Sequence, residues 1–113
     1  MLRIYHNGEC SKCRGALEQI QEAGIPHELR WYLAEPLSAD ELRRLLEKLK
    51  LSAGELVRTG EAYFQEHLRD KERTEAEWLE LLVEHPELMQ RPIVENANNA
   101  VIARPPERWR ELL

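Results

Sequence analysis

The first 33 residues change hydrophobic period twice, and this restricts the fold more than any other feature of the chain. Leu2 to Tyr5 is a short apolar run suited to a buried strand. His6, Asn7 and Gly8 break it. Ala16, Leu17, Ile20 and Ala23 then recur at helical spacing, and Gly24 supplies a stop. From Ile25 to Leu33 the period falls to two, with His27, Leu29, Trp31 and Leu33 alternating against polar neighbours except at Tyr32. Pro36 ends the run. A strand, a helix and a strand in this order predict a parallel pair joined by a right-handed crossover.

The middle of the chain reads as helical. Ser38 with Glu41, Ser52 with Glu55 and Thr74 with Glu77 each have the capping-box spacing, in which two side chains satisfy free amides at a helix start. Leu42, Leu45, Leu46 and Leu49 supply one apolar face; Trp78, Leu81, Leu82 and Leu79 supply the last. Glu66 to Glu77 is charge-dense and reads as a solvated helix surface. Strand character returns at Pro92, Ile93 and Val94. Asn96, Asn98 and Asn99 mark a turn, and Val101, Ile102 and Ala103 form the second arm of a hairpin. Pro105 and Pro106 open a closing helix. The expected fold class is therefore α/β: a thioredoxin-like four-stranded mixed sheet with an all-helical insertion between strands 2 and 3. The expected organisation is one domain over residues 1–113, with the insertion at about 38–86.

A formal charge of -5, from 16 basic and 21 acidic residues, argues against wrapping nucleic acid or coating an acidic membrane. Trp31, Trp78 and Trp109 have no basic stripe beside them and are expected in the core rather than stacked on bases. The opening MLRIYHNGEC is too short an apolar run for a signal peptide or a membrane span, so a cytoplasmic location is expected. His27, His67 and His85 are expected to be structural or exposed.

The two cysteines, Cys10 and Cys13, fall where the first strand gives way to the first helix. Free amides and the positive end of the helix dipole stabilise an anion at such a place. A thiolate is the nucleophilic form of cysteine, and a helix start can lower a thiol pKa by about one to several units. Lys12 and Arg14 add positive charge. Cys13 follows one turn later, close enough to attack an adduct on the Cys10 sulfur. The pair by itself admits redox chemistry, buried packing thiols or metal binding. A tetrahedral zinc site would need two more ligands, and His6 is the only nearby candidate, so no metal is expected.

YHNGECSKCRGALEQIQEAGI near the N-terminus, with HPELMQRPIV and ARPPE near the C-terminus, resembles the glutaredoxin-linked arsenate reductase family. WYLAEPLSADELRRLL and ELVRTGEAYF resemble its middle segments, so the similarity covers nearly the whole chain. The resemblance implies that Cys10 is the nucleophile that attacks arsenate and that His6 occupies the family's histidine position. It implies an oxyanion pocket made by Arg58, Arg91 and Arg104. Arginine suits a tetrahedral anion because it presents paired donors without losing its charge. Thioredoxin-like folds carry a cis proline before the third strand, facing the active-site cysteine; here that would be Pro92. No bound cofactor is implied, and glutathione is the expected co-substrate, with glutaredoxin clearing the mixed disulfide.

Two positions depart from the family pattern. Position 13 is cysteine where many arsenate reductases carry serine or another non-thiol residue, and Gly8 replaces a frequent proline. Cys13 makes an internal disulfide available, recycled by thioredoxin or glutaredoxin. The same pair would serve a thiol-disulfide oxidoreductase without arsenate activity. It also resembles redox-sensing regulators of the same superfamily that bind RNA polymerase, although those generally lack an arginine-proline pair at the place of Arg104 and Pro105.

Overall fold

The structure is a computed structural model that describes residues 1–8 and 10–113, with only the backbone of Lys12. The sequence-based assignment of positive charge to the Lys12 side chain therefore lies outside the described residues. The chain divides into two compact units, Met1–Glu35 with Arg91–Leu113, and Pro36–Gln90.

The first unit holds a four-stranded sheet in the order β2-β1-β3-β4. It is built from β1 (Leu2–Tyr5), β2 (His27–Arg30), β3 (Ile93–Glu95) and β4 (Ala100–Ile102). β1 and β2 run parallel with Leu2 opposite His27, whereas β1–β3 and β3–β4 are antiparallel. Helix α1 (Ser11–Glu22) makes the crossover. Its end is set by Gly24 at φ 69°, a conformation costly for side chains bearing a Cβ. The Gly24 and Ile25 amides close back on the carbonyls of Gln21 and Ile20. The core under the sheet is Leu2, Ile4, Ala16, Ile20, Val94, Val101, Ala103 and Trp109. Glu95 is buried but compensated: Tyr5 Oη donates to its Oε1 at 2.6 Å, and Arg3 lies 3.5 Å away. At the hairpin, Asn96 Oδ1 accepts from the amides of Asn98 and Asn99, which holds the turn that joins β3 to β4.

The second unit is helical: α2 (Ala39–Leu49), α3 (Ala53–Leu56), a π-helical turn at Phe64–Leu68, α4 (Glu75–Glu84) and a 3₁₀ turn at Pro86–Leu88. All three expected capping boxes form, at Ser38, Ser52 and Thr74. Gly54 packs closely under Trp78: a Cβ there would stand 3.1 Å from the indole, which would have to give by a few tenths of an ångström. Ser38→Ala should destabilise the protein by about 1 kcal/mol by leaving the Glu41 amide without its side-chain acceptor. Urea denaturation checks this, and an unchanged midpoint would show that the box contributes nothing.

Several sequence-based expectations are corrected. The second strand covers His27–Arg30 rather than residues 25–33. The chain turns after it, the amides of Ala34 and Glu35 both donating to the Trp31 carbonyl, and this reverses the side-chain alternation. Trp31 and Leu33 are consequently 46% and 45% exposed, while Tyr32 is fully buried. Trp31 is thus not a core residue. The charge-dense run 66–77 is not one helix surface, because the chain is irregular from Lys71 to Thr74. There Arg73 folds back, donating to the Leu68 carbonyl and lying 5.2 Å from the Trp78 ring. Leu79 and Leu82 form the buried face of α4, with Leu81 half-buried, and Leu49 is only half-buried on α2. The closing segment Pro106–Leu112 is a 3₁₀ helix.

Candidate active site

The β1 strand delivers His6, Asn7 and Gly8 to a short loop that ends at Cys10, the N-cap of α1. The Cys10 amide donates to the Asn7 carbonyl at 3.1 Å, and its own carbonyl accepts the Arg14 amide at 3.1 Å. Cys10 has extended backbone angles, and no side-chain hydrogen bond caps the helix. The first turn of α1 contains no acidic residue to compete for its positive end. Arg14 reaches back over the loop, its Nη1 donating to the Gly8 carbonyl at 2.9 Å.

Both cysteines are free thiols, Cys10 half-exposed and Cys13 buried. Cys13 is pushed up to about 12, chiefly by burial. The Asn7 backbone and the charge of Arg91 pull in the other direction, while the neighbouring Cys10 sulfur raises it further. The two thiols are therefore unequal: the accessible one stands at the helix terminus and the buried one holds its proton.

His6 is buried and its ring meets Trp31 edge-on, with centroids 4.7 Å apart. Burial, and then the charge of Arg14, lower its pKa, so the imidazole is neutral at neutral pH; among the described residues its Nδ1 has no hydrogen-bond partner. His6, Asn7, Gly8, Trp31, Leu33 and Ala34 line an open cavity of about 340 Å³.

The Arg91–Pro92 peptide is cis, and the Pro92 carbonyl accepts the Ala103 amide at 2.8 Å. Arg91 acts electrostatically on Cys13, and its Nε is buried with no hydrogen-bond partner among the described residues. Arg104 is half-buried, precedes a second cis proline at Pro105, and makes no side-chain hydrogen bond or ion pair among the described residues. Arg58 belongs to the helical unit, where Val57 bridges to Met89 and the Arg58 amide donates to the Leu88 carbonyl at 2.6 Å. Its guanidinium lies 3.4 Å from Glu61. The sheet unit thus gathers Cys10, Cys13 and Arg91 into one electrostatic group and carries His6, Pro92 and Arg104; Arg58 stands in the other unit.

Sequence reasoning missed Tyr32 as a member of this group. Its hydroxyl is buried, and burial above all pushes it up to about 12, with Arg91 and the Asn7 side chain acting to lower it and Cys13 and Cys10 to raise it. The available signal was its break in the alternation of the second strand. Among the described residues, no group of three or more His, Cys, Asp or Glu side chains is placed to hold a metal, and no helix is long and apolar enough to cross a membrane.

Comparison with known proteins bears on the same residues. The model of the ArsC family matches residues 5–112. The chain is 40% identical to the uncharacterized protein YfgD of Escherichia coli K12, over 99% of this chain and 96% of that one. It is 37% identical to an arsenate reductase of Haemophilus influenzae, over 97% of both chains. An arsenate reductase structure from Vibrio cholerae superimposes with a TM-score of 0.93 at 35% identity, covering 99% of this chain and 97% of that one. These matches run through both the cysteine loop and the arginine-bearing segments, and on them the chain belongs to the ArsC family.

Proposed function

We propose that this protein is a cytoplasmic thiol-based reductase of arsenate or a closely similar tetrahedral oxyanion, working as one domain. The observation that carries the reading is the placement of Cys10 at the N-terminus of α1 with a second, buried thiol one turn behind it. Family membership supplies the substrate class.

In this reading the Cys10 thiolate attacks arsenic, and one arsenate oxygen leaves as water, giving a Cys10–S–As(V) adduct. A second thiol then attacks the Cys10 sulfur. The S–As bond breaks and its electron pair stays on arsenic, which departs as arsenite, while a disulfide forms on Cys10. The overall change is one arsenate and two thiols to one arsenite, one disulfide and one water. Arg58, Arg91 and Arg104 are assigned to the arsenate oxygens, where their charges offset the repulsion between thiolate and oxyanion. His6, neutral and half-caged by Trp31, is assigned a hydrogen-bonding role rather than that of a cation.

The second thiol is either glutathione, leaving a mixed disulfide for glutaredoxin, or Cys13, leaving an internal disulfide for thioredoxin or glutaredoxin. The position of Cys13 one turn beyond Cys10, close enough to interact with its sulfur, favours the internal route. Arsenite production by purified protein, with each reducing system supplied separately, tests the proposal. Cys13→Ser should lose about tenfold or more of the turnover supported by thioredoxin while keeping most of that supported by glutathione and glutaredoxin. Reduction of model disulfides without any arsenite would instead identify a general thiol-disulfide oxidoreductase. Redox-dependent binding to RNA polymerase with neither activity would identify a regulator.

A further inference from the structure

Apart from the chain ends Met1 and Leu113, the exposed large apolar side chains among the described residues are Trp31 and Leu33. Both line the cavity of about 340 Å³ that also takes in His6, Asn7 and Gly8. The cavity lies where the parallel strands β1 and β2 end, between the residues that follow Tyr5 and those that follow Arg30. The crevice outside the carboxyl ends of parallel strands is where open α/β sheets receive their ligands. It is continuous with the cysteine loop, because the carbonyl of Asn7 accepts the Cys10 amide at 3.1 Å. Trp31 is fixed in place. Its carbonyl takes the amides of Ala34 and Glu35, its ring meets His6 edge-on at 4.7 Å, and a Cβ on Gly8 would stand 3.5 Å from it. A side chain held in this way loses little freedom on binding, and tryptophan is among the residues most enriched at interface hot spots.

We propose that the ledge formed by Trp31, Leu33 and Ala34 is the docking surface for a dithiol protein of the thioredoxin class, which reduces a Cys10–Cys13 disulfide. The inference rests on the reading of Cys10 and Cys13 as a redox pair. A reductant of Cys10 has to stand against the loop that carries it, and this ledge is apolar surface continuous with that loop. Among the described residues the lining carries no charged side chain, its histidine being neutral, and Arg14 is engaged by the Gly8 carbonyl. Such a lining suits apolar protein surface and leaves the two carboxylates of a glutathione tripeptide without a cation. The ledge is also short, with Tyr32 turned inward between Trp31 and Leu33. Transient redox encounters bury under about 1,200 Å², whereas a stable homodimer buries about 2,000 Å² or more. In the docked complex a thioredoxin thiolate attacks the Cys10 sulfur, the Cys10–Cys13 bond breaks, and its electron pair and a proton go to Cys13. The second thioredoxin thiol then attacks the intermolecular disulfide and releases Cys10 as a thiolate. Thioredoxin ends as the disulfide, so it supplies both electrons.

The test oxidises the full-length protein with diamide and follows its reduction by reduced thioredoxin, separately from any assay with arsenate. Leu33→Gln, and Ala34→Gln on the same ledge, are expected to lower the second-order rate constant with thioredoxin by about fivefold or more. Reduction of the same variants by dithiothreitol and by glutathione should change by no more than about twofold, because a small thiol reaches Cys10 without the ledge and both substitutions are neutral. Equal slowing with dithiothreitol would mean that the change acts through the cysteine loop, and equal slowing with glutathione that the ledge seats a small thiol; either overturns the docking surface. An unchanged thioredoxin rate in both variants overturns it too. A native protein that sediments as a dimer, with Leu33→Gln a monomer, would assign the ledge to a second copy and overturn the proposal. Oxidised protein that shows no internal disulfide by intact mass after alkylation would overturn the redox pair and, with it, the docking of its reductant. A selective loss with thioredoxin in a protein that makes no arsenite would remove arsenate as the substrate and leave the docking surface supported.

Discussion

Cys10→Ser should reduce arsenate turnover by about three orders of magnitude or more while leaving the fold intact. A serine hydroxyl is scarcely ionised at neutral pH, whereas a thiol there is partly thiolate and intrinsically more nucleophilic. Serine also cannot complete the second half of the cycle, which ends with a disulfide on that atom. The position itself tolerates the exchange: residue 10 is half-exposed, caps α1 with its backbone, and uses no side-chain hydrogen bond to do so. Serine is moreover a favoured N-cap, so stability should hold or rise slightly. Alkylation gives a second readout of the same inequality. Iodoacetamide should modify Cys10 first across the neutral range, because Cys13 is enclosed and protonated up to about 12. Faster labelling of Cys13 at neutral pH would reverse the assignment of nucleophile and resolving thiol.

What the sequence disclosed was what is decided locally. A capping box needs only a serine or threonine, a glutamate three residues on, and a chain free to turn, and all three were readable from spacing. The hairpin at Asn96 was readable for the same reason, since one asparagine side chain gathers the two amides that follow it. The cysteine pair announced itself because a strand and a helix flank it within a dozen residues. The failures lie where a local pattern met a tertiary constraint. Trp31 and Leu33 continued the alternation of β2, but pairing with β1 ends at Arg30, and the turn that follows exchanges inside for outside. Arg73 ended what looked like continuous helix by folding onto Trp78 and the Leu68 carbonyl.

The candidate site divides along the same line. Cys10 and Cys13 could be assigned from one stretch of sequence, whereas the association of Tyr32, Arg91 and Cys13 depends on the sheet bringing β2, α1 and the start of β3 together. No spacing rule connects residues so far apart. Tyr32 carried one trace of its burial, a ring out of phase in an otherwise alternating run.

Trp109→Ala should be among the most damaging single changes to stability, costing about 3–5 kcal/mol. Trp109 lies fully buried among Leu2, Ile4, Ala16, Ile20, Val94, Val101 and Ala103, so truncation opens a hole against both the sheet and α1. Its Nε1 donates to Gln19 Oε1 at 2.9 Å, tying the C-terminal segment to the crossover helix. The segment that carries it is 3₁₀, whose i→i+3 bonds hold poorly over several residues, so side-chain anchoring matters more there than in an α-helix. Against a total stability of about 5–15 kcal/mol for a domain of this size, the loss is severe and should lower the thermal midpoint by about 10–20 °C. Trp109→Phe separates the two contributions, since it keeps most of the buried ring and gives up the hydrogen bond, for a cost of about 1–2 kcal/mol. Urea titration of both variants reads these numbers. A cost under about 1 kcal/mol for the alanine variant would mean that the C-terminal segment collapses onto the sheet without its anchor, and that the strands and α1 hold the core by themselves.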